Sequence, residues 1–162
     1  MNPLAVLQYG HQTVQRALDG FPAEAWEQPG ACGSLSVKDI VAHLAAYENV
    51  LVDVLTGFVS KNEPTPNLTK MLEQPDQFNE NEVAARKTQT PQEVRDEYHR
   101  AHERAMELAA QISPETYRQP GTLPWYGVEY ALDDFIAYTY YGHKQEHCAQ
   151  INVFHDRLKV TA

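Results

Sequence analysis

The sequence predicts an all-α protein built as a four-helix bundle, with a long connection between the second and third helices. Three observations carry this. Four long segments place apolar residues at the 3–4 spacing of a core-facing helix stripe. Pro22, Pro29, Pro64, Pro66, Pro75, Pro114, Pro120 and Pro124 fall between periodic segments, where helix breakers belong. No stretch alternates at period two long enough to demand a sheet.

The first helix is expected from about Pro3 to Leu18. Leu4, Leu7, Val14 and Leu18 form its stripe, with Tyr9 and His11 off it. The second is expected over Val37 to Val59. Ser36 and Asp39 resemble a capping box with Asp in place of Glu or Gln. Its stripe is Val37, Ile40, Leu44, Tyr47, Leu51, Leu55 and Phe58. A shorter helix is expected near Asn79 to Lys87. The third long helix opens with Thr90 as cap, Pro91 at the first helical position and Glu93 as the box partner. It runs through Val94, Tyr98, Ala101, Ala105, Leu108 and Ile112 until Ser113-Pro114 stops it. Residues 114–129 are rich in Pro and Gly and read as a long loop. The fourth helix is expected from about Tyr130 to Leu158. Its stripe is Leu132, Ile136, Tyr140, His143, His147, Ile151, Phe154 and Leu158.

The chain has 162 residues, which fits a single domain over residues 1–162 with a real core. At 43% hydrophobic and 22% charged residues, the composition is that of a soluble globular protein. Lys and Arg number 13 against 22 Asp and Glu, a net charge of −9. With no basic cluster, nucleic-acid binding is excluded, because phosphate contacts need Lys and Arg. The polybasic patch that would hold an anionic membrane is also missing. The most apolar stretch, residues 40–59, is interrupted by His43, Glu48 and Asp53, which argues against a membrane span. The N-terminal MNPLAVLQYGHQ has neither the basic nor the long apolar region of a signal peptide. Cys32 and Cys148 are too few for a disulfide scaffold. A cytoplasmic protein with reduced thiols is expected.

YYGHKQEHCAQI, residues 140–151, places His143 and His147 on one helix face, one turn apart. His43 borders the stripe of the second helix. Two readings stand. The histidines are core-edge residues hydrogen-bonded to neighbours, or they are ligands of one metal ion. One His and a His-x-x-x-His pair from facing helices would supply three nitrogens and leave positions open for water or substrate.

Other residues invite similar pairs of readings. His99 and His102 lie in the charge-rich HRAHERAMEL, which reads as a partly solvated face. His11 and His155 read as surface residues. Cys148 points away from His147 and reads as a buried structural thiol. Glu48 is either a solvated charge or a group that orients a water or a ligand imidazole. Gln150, one turn from His147, is the second candidate for that role. Tyr47 and Tyr140 face inward, as pocket lining or as core. Trp125 and Tyr126 precede the fourth helix, as a lid over the site or a plug for the bundle end.

SVKDIVAHLAAYE, residues 36–48, resembles the first signature of the DinB/YfiT-like superfamily: Ser-Val-Lys-Asp, then His-Leu, then an acidic residue. YYGHKQEHCAQI resembles its second signature, His-x-x-x-His followed by Gln-Ile. The middle section, residues 79–108, is similar to the ClbS/DfsB-like branch. The resemblance implies an up-down-down-up bundle and a divalent metal held by His43, His143 and His147; by ligand type, three imidazoles suit zinc, nickel, iron(II) or copper. It also implies a homodimer. Characterised relatives include thiol S-transferases using bacillithiol, mycothiol or glutathione, and a hydrolase that opens a strained ring in a genotoxic metabolite. The implied activity is therefore stress-response chemistry on a small-molecule electrophile, with a low-molecular-weight thiol or water as nucleophile. The competing readings are a non-catalytic dimeric bundle that sequesters a small molecule, and a structural bundle in which the histidines only pack.

Overall fold

Side-chain caps start three of the long helices. In this computed structural model, which describes residues 1–161, Asn2 accepts from the Ala5 amide at the start of α1, Pro3–Leu18. A 3-10 turn at Ala23–Ala25 follows. Ser36 and Asp39 cap each other's amides at the start of α2, Val37–Val59. Two short helices, α3 at Pro66–Glu73 and α4 at Phe78–Ala85, fill the long connection. Thr90 and Glu93 form the reciprocal box of α5, Pro91–Ala109. A short α6, Pro114–Tyr117, lies within the expected loop. The last helix is continuous in three parts: α7 at Leu132–Phe135, a π-helical segment at Ile136–Tyr141, and α8 at Gly142–Thr161. Among the described residues there is no strand, only an isolated bridge between Cys32 and Leu35.

Three departures from the sequence reading stand out. Helix α3 was not expected, because its cap is tertiary: Asp53 on α2 accepts from the amides of Asn67 and Leu68 at 2.6 and 3.0 Å. Helix α5 stops at Ala109 rather than Ile112. The next amides, of Gln111 and Ile112, turn back to carbonyls three residues earlier, which tightens the end into a 3-10 turn. The fourth helix contains a π segment that no apolar spacing announces.

α2 packs along α5, and α1 packs along α8 and the π segment, with smaller α1–α5 and α2–α8 contacts closing the core. One apolar cluster holds Leu18, Trp26, Ile40, Leu44, Ile151 and Phe154. The other holds Leu51, Leu55, Leu108, Leu132, Phe135 and Ile136. Each such side chain, fully removed from water, contributes roughly 1.5–3 kcal/mol. By length and composition α2 could cross a membrane, but 78% of its apolar window is buried within the protein. It is the central core helix.

Candidate metal centre

The continuous last helix makes the site. In the π segment the Gly142 amide bonds to the carbonyl of Ala137, five residues back. One extra residue in a turn rotates the remainder of the helix by roughly 100° relative to an unbroken α-helix. The buried stripe accordingly runs Leu132, Ile136, Tyr140, Lys144, Cys148 at a constant spacing of four, then Ile151 and Phe154. This corrects the expected stripe. His143 and His147 are half-buried at its edge, and Lys144 takes the central position.

From that edge the two imidazoles meet His43 of α2. The Nε2 atoms of His43 and His143 are 2.8 Å apart, and those of His143 and His147 are 2.9 Å apart. One ligand-capable atom from each residue lies within 4.8 Å of the others. Burial, then the neighbouring imidazoles His143 and His147, lower the His43 pKa to about 3. Burial, then His147 and Lys144, lower that of His143 to about 4. Both rings are thus neutral at neutral pH. His147 Nδ1–H donates to Gln150 Oε1 at 2.8 Å, which leaves the Nε2 lone pair aimed at the cluster. A lone hydrogen cannot satisfy three nitrogens at such separations, since His143 Nε2 offers either one proton or one lone pair. A divalent cation would satisfy all three at once, so the donor set fits a metal.

Tyr47 seals one flank. Its ring stands edge-on to those of His43 and His143, at 4.9 and 5.0 Å between centroids. Tyr140, buried in the core, donates its hydroxyl to the Tyr47 carbonyl at 2.9 Å and so ties the π segment to α2. On the other side a cavity of about 730 Å³ opens against the three histidines. Its walls are Ser34 and Leu35 before α2, Asn79, Glu80, Val83 and Ala84 on α4, Lys87 after it, and Glu146. No spacing rule marks the wall residues, because they come from the connection rather than from a stripe.

α4 is anchored as a rigid wall. Arg86, buried, makes a two-pronged contact with Glu97 of α5 at 2.8 and 2.9 Å. It also donates to the Glu82 carboxylate at 2.6 Å. Lys38 donates to the Lys87 carbonyl at 2.9 Å, and Phe78 packs on Tyr47.

The remaining candidates lie elsewhere. Glu48 is not a solvated charge: it is fully buried and paired with Lys144, and no hydrogen bond joins it to the three histidines among the described residues. Its carboxylate is held by the core because Lys144 points inward. His102 is not on a solvated face; it is buried and stacks on His11, with 3.8 Å between centroids. His11 is half-buried and shares a hydrogen bond with the Tyr98 hydroxyl at 3.2 Å. His155 is half-buried against Phe21. Trp125 packs on Phe135 and lines a separate cavity with Asp53 and Leu123. Cys148 is buried, and burial raises its pKa to about 11, so it is an unreactive thiol.

An all-helical protein that brings three imidazoles to one point on a cavity wall is, by class, a candidate metal-binding bundle. The chain belongs to the DinB superfamily, whose family model matches residues 7–151 and so includes all three histidines. No curated protein and no solved structure matched the chain.

Proposed function

We propose that this protein is a metal-dependent enzyme that activates a thiol or a water for transfer to, or hydrolysis of, a small electrophile. In this reading His43, His143 and His147 hold a divalent ion, zinc, nickel or iron, within an up-down-down-up bundle. The observation that carries it is the convergence of three Nε2 atoms, 2.8 and 2.9 Å apart, at the wall of the cavity. When bound, such an ion supplies Lewis acidity that lowers the pKa of a water or a thiol. The chain does the rest. Gln150 holds the His147 ring, and Tyr47 shields the flank of His43 and His143. Leu35, Val83 and Ala84 offer an apolar wall to the body of a substrate. The proposal extends to a cytoplasmic homodimer acting in stress response, with a low-molecular-weight thiol as co-substrate.

Elemental mass spectrometry of untagged protein, purified without chelator, tests it. The expected result is near-stoichiometric divalent metal in the native chain and none in His143→Ala, with helical circular dichroism unchanged. No metal after exposure to nickel, zinc or iron(II) overturns the reading. Repeated turnover that stops on chelation then separates an enzyme from a sequestering bundle, which would protect only stoichiometrically.

A further inference from the structure

Lys144 touches every other long helix. Its ammonium pairs with Glu48 of α2 and lies 5.5 Å from the ring centre of Tyr98 on α5. Its stem runs against Gly10 of α1, where an added methyl would lie 3.3 Å from Lys144 Cδ. Lys144 is 2% exposed and Glu48 is 0% exposed. No other hydrogen bond reaches either group among the described residues, and His102 Nδ1 stands off at 3.9 Å from Glu48 Oε2. A buried pair with so little support is a poor way to gain stability, since apolar residues of similar size commonly do as well. It is a good way to choose one arrangement over another.

Two arrangements are available to the last helix. Apolar and aromatic spacing alone lets α8 face the core along Tyr140, His143, His147 and Ile151. The observed arrangement, reached through the π segment, faces it along Tyr140, Lys144, Cys148 and Ile151. Only the second leaves His143 and His147 at the edge where His43 and the cavity meet them.

We propose that the Glu48–Lys144 pair is a positioning device that sets the rotation of α8, and through it the aim of His143 and His147 at His43. This rests on the metal reading above. The pair touches no reacting group; it acts through the ligands it orients.

The test replaces the pair with apolar residues, Glu48→Leu with Lys144→Met, in a Cys32→Ser background. Zinc affinity is read by competition with a chromophoric chelator. Rotation of α8 is read by the reactivity of Cys148 toward a thiol reagent. The expected result is a variant that melts cooperatively near the parent temperature, binds zinc at least tenfold more weakly, and exposes Cys148. Parent-like zinc affinity with Cys148 still protected overturns the proposal. A parent that takes up no zinc sinks the metal reading instead, and the positioning claim with it. Should the double variant fail to melt cooperatively, Gly10→Ala decides, because alanine suits a helix and its methyl crowds only the Lys144 stem, at 3.3 Å, while Tyr141 stays in ordinary contact. Weakened zinc binding in that folded variant supports the proposal, and unchanged binding overturns it.

Discussion

Gln150 accepts a hydrogen bond from His147 Nδ1 at 2.8 Å, three residues along the same helix. The contact fixes which nitrogen of His147 carries the proton and which faces the other imidazoles. Gln150→Leu removes it. Metal affinity is expected to fall 10- to 100-fold, with melting nearly unchanged. A competition titration with zinc measures the first and circular dichroism the second. Unaltered affinity would show that the ring is held by packing alone.

Acid stability should follow the buried histidines away from the metal centre. Burial, then His11, Lys144 and His99, lower the His102 pKa to about 3. Burial, then Lys144 and His99, lower that of His11 to about 4. Glu48 and Tyr98 also face this pair. Because the folded values lie below the unfolded one, the unfolded chain binds more protons as pH falls. Stability is therefore complete above about pH 6.5 and drains away toward pH 3, by about 2 kcal/mol at pH 5 for the buried His102 and by less for the half-buried His11, whose shift solvent screens. Urea midpoints of metal-free protein at pH 7.5, 6 and 5 should decrease in that order. His102→Phe should flatten the slope, and an equal slope in both proteins would reject this account.

Arg86 holds the cavity wall. Replacing it with Met leaves Glu82 and Glu97 without their guanidinium, and breaking a buried pair this way costs about 3–5 kcal/mol. With Glu97 partly open to water, the lower end is expected. Thermal melting reads the loss, and limited proteolysis should cut residues 60–90 faster than in the parent. Arg86→Lys should recover only part of it, because an ammonium cannot make the two-pronged contact.

Tyr140→Phe tests the bridge from the π segment to α2. It removes the hydroxyl that donates to the Tyr47 carbonyl. A loss of about 1 kcal/mol is expected in urea unfolding, with the all-helical spectrum kept. A variant as stable as the parent would mean that water replaces the bond.

Much of the fold was legible because its causes are local. The caps at Ser36 and Thr90 and the limits of α1 and α2 follow from residues within one turn of each other. His43, His143 and His147 stood out by residue type and by the paired signatures around them. Lys144 did not. A lysine beside a His-x-x-x-His pair reads as solvated, but past the π segment it faces inward. Glu48 and His102 were misplaced for the same reason, since their burial depends on that lysine and on the stacked His11.

The linear chain settles the four long helices, the limits of α1 and α2 and the identity of three imidazoles, because 3.6-residue periodicity and capping are short-range effects. It leaves open the rotation of each helix about its own axis. Rotation is decided by what the facing helices offer: a carboxylate at Glu48, a glycine at Gly10, a carbonyl at Tyr47. The same holds for the cavity, whose wall on α4 is held by Arg86 against a glutamate on α5. Such contacts join residues distant in sequence, so they form only when the chain is folded.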